Sequence, residues 1–160
     1  MPTIETKYFG TVPCDEESFF DFPSGIPAFE DQRRFLRIER PAYHPLLFLQ
    51  SAATPSLCFI AMAVLAAAPD YMLSVSPEDL AALDLPAGRQ PRIGAEVMVL
   101  TLLSIRENAP TTANLLAPIV INMSNRKAVQ AIRHDNLYSH EQPVAVLTPR
   151  ARRTPETCPC

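Results

Sequence analysis

Only four glycines occur in 160 residues, at positions 10, 25, 88 and 94. None falls in G-x-G or G-x-x-x-x-G-K, so the backbone cradle that holds nucleotide phosphates is missing. The nucleophile elbow G-x-S-x-G and the zinc-protease motif H-E-x-x-H are also missing. Cysteine is sparse. Cys14 and Cys58 stand alone, and Cys158 and Cys160 form a terminal "CPC". A structural zinc site asks for two cysteine pairs, or one pair with spaced histidines. No metal, cofactor or disulfide framework is therefore expected, and the thiols should be reduced. Long hydrophobic runs are lacking too. The longest, "LCFIAMAVLAAA" from Leu57 to Ala68, falls short of the ~20 residues that span a bilayer. "MPTIETKYFG" has no basic stretch followed by an apolar one, so no signal peptide is expected. The expectation is a cytoplasmic protein without membrane contact.

Apolar residues make up 48% of the chain, enough for a sizeable core. Seventeen prolines cut it into short segments and disfavour long helices. Between them lie runs rich in β-branched and aromatic residues. "TIETKYFGTV" reads as a strand running to a turn at Gly10. "PLLFLQSAATPSLCFIAMAV" reads as two strands around a loop, "EVMVLTLLSI" as a buried strand, and "APIVINMSNRKAVQAI" as a pair around a turn near Ser124 and Asn125. "SVSPEDLAALDL" predicts one short helix, with Ser76 as N-cap, Pro77 in the first turn and Glu78 and Asp79 at the positive end of the dipole. "DQRRFLRIER" fits either a turn of helix or a strand. The predicted fold is mainly β: a single antiparallel domain over residues 1–147, barrel-like or a sandwich, with one or two short helices. Residues 148–160, "TPRARRTPETCPC", are polar and proline-rich and are expected to be a disordered tail.

The net charge of −3 is mild but uneven. Residues 1–31 hold seven acids, among them Glu16, Glu17, Glu30 and Asp31, against the single cation Lys7. An acidic chain argues against nonspecific nucleic-acid binding and permits a basic protein partner. "NRKAVQAIRH" offers Arg126, Lys127 and Arg133 without an interleaved aromatic, so direct RNA binding is not expected. The one enzyme-like cluster is "HDNLYSHE", with His134, Asp135, His140 and Glu141; it is the alternative reading, a small metal-dependent enzyme. "FPSGIPAFED" places Ile26 and Phe29 around prolines, either plugging one end of the fold or standing out as an apolar anchor. "NMSNRK" carries the last question. Asn122 and Asn125 suit a turn, since asparagine tolerates left-handed geometry and caps its own backbone. Together with Arg126 they also suit a polar rim that recognises a partner's backbone.

The blocks "ETKYFG", "FPSGIPAFED", "FLQSAATPSLCFI", "PDYMLSVSPEDLAAL" and "TANLLAPIVINMSNRKAVQ" followed by "LYS" resemble, in order, the flagellar assembly factor family FliW, from about Ile4 to Pro143. Leu116 and "YSHEQPV" depart from the family's pattern, "PAGRQPRIG" matches none of its blocks, and the "CPC" tail lies outside it. The resemblance implies a small β-rich monomer without catalytic activity. It also implies two protein ligands: the C-terminal region of flagellin, and CsrA, a small dimeric RNA-binding repressor of translation. A FliW protein antagonises CsrA without occupying its RNA groove, and flagellin competes it away. Partner-binding residues are then expected among Asn122, Asn125, Arg126, Ile26 and Phe29, with a repulsive acidic surface at Glu16, Glu17, Glu30 and Asp31.

Overall fold

A hairpin opens the chain: β1 (Thr3–Thr6) and β2 (Gly10–Pro13) pair antiparallel, with Gly10 in the left-handed region at φ 68°. The computed structural model describes residues 2–144; the tail expected at 148–160 lies outside the described residues. After the hairpin come β3 (Phe19–Asp21), β4 (Arg34–Glu39), β5 (Leu47–Ser51) and β6 (Cys58–Ala63). Two short helices follow, α1 (Val64–Ala67) and α2 (Pro77–Ala82), then β7 (Val97–Ser104), β8 (Thr112–Ala113), β9 (Ile119–Asn122), β10 (Ala128–Gln130) and β11 (Gln142–Pro143). The main sheet is antiparallel in the order β10-β9-β7-β6-β5-β4-β3.

β8 and β9 both pair with β7, so together they act as one strand interrupted at residues 114–118. The chain from 128 to 144 answers them from the far side. Between β10 and β11 the pairing continues through Ala131 N–H to the Pro118 carbonyl, Arg133 N–H to Leu116 and Leu115 N–H to Ser139.

Side-chain alternation divides the apolar residues between the two faces of the sheet. Phe20, Phe35, Leu49, Ala61, Leu100, Ile119, Ile121 and Ala128 form one buried cluster. Phe20 belongs to β3 and Ala128 to β10, the two ends of the strand order, so the sheet must roll around this core. It rolls without closing. Among the described residues its edges meet at one parallel bridge, Asp21–Lys127, where Asp21 N–H donates to the Arg126 carbonyl at 3.0 Å. The outer face carries two further cores. Leu36, Ile38, Phe48 and Ile60 lie under the hairpin's Val12 and Phe9, and Val97, Val99, Val120 and Val129 lie under α1, α2 and the Tyr71–Val75 segment. Phe22, Phe35 and Phe48 are fully buried, each contributing about 2–3 kcal/mol of burial.

"DQRRFLRIER" resolves as strand β4, because both its faces are covered: Phe35 inside the roll, Leu36 and Ile38 beneath the hairpin. The strand expected to run through "LCFIAMAV" instead stops at Ala63, where α1 starts. The alanines that follow are good helix formers, and Val64 and Ala67 pack on the outer core. Ser76 caps α2 by accepting from Asp79 N–H at 3.1 Å.

Candidate functional site

The turn between β9 and β10 is built by latching it onto α2. Helix α2 ends in a Schellman motif: Leu85 N–H reaches the Leu80 carbonyl, Asp84 N–H reaches Ala81, and Asp84 turns left-handed at φ 61°. The Leu83 carbonyl is thereby left without a helical partner. Buried Asn122 fills that need, its Nδ2 donating to Leu83 O at 2.7 Å while its Oδ1 accepts from Ser124 N–H at 2.8 Å. Asn125 repeats the pattern one step on. Its Oδ1 accepts from Lys127 N–H, its Nδ2 donates to Asp84 Oδ2 at 2.9 Å, and Lys127 Nζ lies 2.8 Å from the same carboxylate.

The left-handed residue of this turn is Arg126, at φ 64°, and neither asparagine shares its conformation. Each asparagine caps with its side chain and keeps an ordinary backbone, so the reversal falls on the residue after them. Arg126 is held there by its N–H on the Asn122 carbonyl and by its own carbonyl on Asp21 N–H. Its side chain makes no hydrogen bond or ion pair within the described residues, and its Nε is buried without a partner. Beside it, Met123 is 47% exposed, its backbone pinned through N–H to the Glu96 carbonyl. Glu96 is clamped in turn by Arg89, with contacts of 2.8 and 2.6 Å, and by Arg92 N–H. The Arg89 bonds hold its carboxyl down at about 2. The asparagines thus hold the turn, and Met123 and Arg126 are presented by it.

The N-terminal candidates sit across the seam. Ile26 is buried in the inner core and plugs the roll. Phe29 remains 37% exposed, edge-on to Phe59 at 5.5 Å. The loop between them depends on Gly25, whose φ is 69° and whose missing Cβ would lie 2.5 Å from the Glu30 carbonyl oxygen. Glu30 caps the loop by accepting from Ala28 N–H at 3.0 Å, and Asp31 beside it is exposed. Glu16 and Glu17 stand on a 3-10 turn, Glu16–Ser18. Glu16 pairs with Arg34, which also lies 3.4 Å from Asp21 and stacks over Phe19 at 4.1 Å. Through Asp21 the acidic turn is tied to the Arg126 carbonyl, so the structure brings Glu16 and the 122–127 turn to the two sides of one seam. Ile26 is placed inside rather than on that surface.

The histidine cluster does not converge. Asp135 is held by Arg133 at 3.0 and 2.8 Å, whereas exposed His140 pairs with Glu141 at 3.1 Å. Among the described residues, no group of three or more His, Cys, Asp or Glu side chains is placed to hold a metal. Cys14 and Cys58 are buried and not joined in a disulfide.

Sequence reasoning passed over the most heavily bonded side chain nearby, Arg133. It is buried, donates to the Met72 carbonyl at 2.6 Å and to Tyr71 Oη at 3.3 Å, forks onto Asp135, and lies against the rings of Tyr138 and Tyr71 at 4.7 and 5.4 Å. Tyr71 Oη donates to the Leu115 carbonyl, and Tyr138 Oη accepts from Met72 N–H. Burial raises the Tyr71 pKa, and the Arg133 guanidinium holds the Asp135 carboxyl below its ordinary range. Burial would lower the Arg133 pKa, but its bonds to Asp135 and Tyr71 outweigh that and raise it. Nothing in the local pattern signals this hub, because its bonded members lie up to 66 residues apart.

The family model for FliW protein matches residues 3–144. The chain belongs to the FliW family of flagellar assembly factors. It is 32% identical over 142 residues to the flagellar assembly factor FliW of Syntrophomonas wolfei, covering 88% of this chain and 87% of that one. With the FliW of Bacillus subtilis it shares 32% over 142 residues, covering 88% and 95%. A crystal structure of the flagellar assembly factor FliW superposes with a TM-score of 0.75 at 29% identity, covering 89% of this chain and 96% of that one. The mainly antiparallel β architecture is therefore a FliW fold. Two of the blocks that carried the FliW resemblance build the seam: "FPSGIPAFED" supplies the plug and "NMSNRK" the latched turn. Among the described residues, no helix is long and apolar enough to cross a membrane.

Proposed function

We propose that the protein is a cytoplasmic, monomeric binding regulator that takes two protein ligands. It binds the C-terminal region of flagellin. It also binds the translational repressor CsrA and antagonises it without entering the RNA groove, so that the flagellin level sets flagellin translation. Membership of the FliW family supports this reading. The observation that carries the site is Arg126: a cation held in a strained backbone conformation, with its side chain uncommitted beside exposed Met123. A left-handed non-glycine residue costs on the order of 1–2 kcal/mol and persists where the surroundings over-determine it. Here two asparagine caps and a seam hydrogen bond do so.

Antagonism without groove occupancy calls for a field. Glu17, Glu30 and Asp31, together with Glu16 where Arg34 does not offset it, supply negative charge on the N-terminal side, which disfavours RNA approach to a bound basic dimer. Because binding coupling is reciprocal, flagellin and CsrA must lower each other's affinity by the same factor.

The test measures flagellin binding, CsrA binding and melting temperature for Asn122→Ala, Asn125→Ala and Arg126→Ala. Arg126→Ala is expected to weaken one ligand by about 1.5–3 kcal/mol, one to two decades, with the melting temperature unchanged or higher. Normal binding of both ligands by all three variants places the site elsewhere, with Phe29 next in line. Reversing Glu16, Glu17, Glu30 and Asp31 to Lys should relieve RNA exclusion at low salt. Unchanged exclusion would rule out the field.

A further inference from the structure

The charges around the latched turn do not balance. Each acid bonded to its frame is spent. Glu96 is forked by Arg89 and accepts from Arg92 N–H, Asp84 carries Lys127 and Asn125, and Asp21 lies against Arg34. Two cations on the same frame are not spent. Neither the Arg92 nor the Arg126 side chain makes a hydrogen bond or an ion pair among the described residues, and the Arg126 Nε is buried without a partner.

Backbone bonds tie these cations to one exposed apolar side chain. Arg92 is fixed on Glu96, donating its N–H to the carboxylate at 2.9 Å and accepting from Glu96 N–H at 2.9 Å. The Glu96 carbonyl in turn takes Met123 N–H at 3.0 Å, and Met123 sits in the turn that Arg126 N–H closes on the Asn122 carbonyl. Arg92 is exposed, and its charge helps to hold the Glu96 carboxyl down, which keeps it in the same neighbourhood. Arg92, Met123 and Arg126 are therefore successive members of one bonded chain, with Met123 47% exposed.

Unspent positive charge beside an exposed thioether complements a segment that carries carboxylates next to an apolar side chain, and it opposes a basic surface. A guanidinium takes a carboxylate through two parallel N–H bonds. RNA is a poor match. Its affinity grows with the number of phosphates neutralised, and two cations on a chain of net charge −3 neutralise few. Because caps and the seam already fix the Arg126 backbone, only its side chain is left to order on binding.

We infer that Arg92 and Arg126 receive carboxylates of an acidic partner segment whose apolar side chain packs on Met123. Resting on the function proposed above, the assignment makes this partner flagellin and keeps the basic repressor CsrA off this surface. Arg92 is then a specificity-determining residue that the turn itself does not contain.

The experiment titrates purified flagellin and purified CsrA, separately and at low and high salt, into the full-length protein and into Arg92→Glu, Arg92→Lys and Arg126→Gln. The Arg92 side chain makes no bond in the fold, so both Arg92 variants should melt with the wild type. Arg92→Glu and Arg126→Gln should each lower flagellin affinity about tenfold or more. Arg92→Lys, which keeps the charge, should retain most of it. Wild-type flagellin affinity should fall as salt rises, and less steeply in Arg92→Glu. CsrA affinity should not fall in any of the three. If the wild type binds flagellin and Arg92→Glu binds it equally well, the assignment is overturned and the proposed function stands. The same holds if Arg92→Glu weakens CsrA alone. Salt-dependent binding of RNA by the wild type without any partner, lost in Arg92→Glu, also overturns it, in favour of a phosphate site. If the wild type binds no flagellin, the flagellin half of the proposed function fails and the assignment fails with it.

Discussion

Arg126 and Arg133 flank the short strand β10 and are used in opposite ways. Arg133 has an ordinary strand-like place and a fully engaged side chain. It is buried, forked onto Asp135, bonded to Tyr71 and Met72, and stacked on two rings. Arg126 has a strained backbone and a side chain without a polar partner among the described residues. In the first the guanidinium serves the fold, because five donors in a planar fork can join segments that no smaller group could span. In the second, caps and a seam bond hold the backbone where its residue type does not favour it, and the guanidinium makes no bond among the described residues. The two cations differ in what their side chains already touch, which the residue name does not reveal.

The largest effect expected from breaking this contrast is at Arg133. Arg133→Ala leaves Tyr71 and the Met72 carbonyl without their partner and Asp135 without its counter-ion. Asp135 is partly solvated and can recover some hydration, so the loss should be about 3 kcal/mol. For a chain of this size that lowers the melting temperature by roughly 10 °C. Arg133→Lys should recover less than half, since an ammonium cannot reproduce the fork. A melting temperature within about 2 °C of wild type for Arg133→Ala would show that the hub is ornamental.

Asn122→Ala comes next. It strips the buried Leu83 carbonyl of its donor and removes the cap on Ser124, for a loss of about 2 kcal/mol in chemical unfolding. Arg126→Gly has a smaller effect of opposite sign. Glycine relieves the left-handed strain and removes the unpartnered Nε, which should raise stability by up to about 1 kcal/mol while ligand binding falls. Destabilisation by this change would mean that Arg126 serves the fold after all.

The subtlest contrast is in pH. Asp135 and Glu96 have carboxyl pKa values depressed in the folded protein, by Arg133 and Arg89 respectively. The unfolded chain therefore takes up protons first. Their stabilisation is complete above the ordinary carboxylate values of 3.8 and 4.5 and is lost as pH falls below them, for Glu96 through about 2. Arg133→Leu should flatten the Asp135 part of this acid-side decline in melting temperature, and Arg89→Ala the Glu96 part. Arg126→Ala should leave both in place.

Much of this architecture was legible in the sequence. The loop between β5 and β6, the long strand β7, the β9–β10 turn and the Ser76 cap of α2 all follow from local chemistry. The block pattern that resembled FliW carried the family. The candidate site was legible only in outline. "NMSNRK" announced a turn, but which residue would turn left-handed depended on where the asparagine amides found partners, and those partners lie just past the end of α2, 39 and 41 residues away. Ile26 could not be told from Phe29 by sequence, since both flank the same prolines. The roll of the sheet buries one at 2% and leaves the other at 37%.

The sequence by itself determined the strands, their faces, the caps and the absence of phosphate-binding and zinc-protease motifs, because these depend on period-two alternation and on bonds within a few residues. The tertiary structure alone decided which polar groups were consumed. Asp21 meeting Arg126 across the seam, Asn122 reaching Leu83, and Arg133 gathering Tyr71, Met72 and Tyr138 are all long-range pairings. A buried donor must find an acceptor wherever the chain brings one. Only after those needs are met does it become clear which side chains keep polar or apolar groups unspent among the described residues, as Met123 and Arg126 do beside β10.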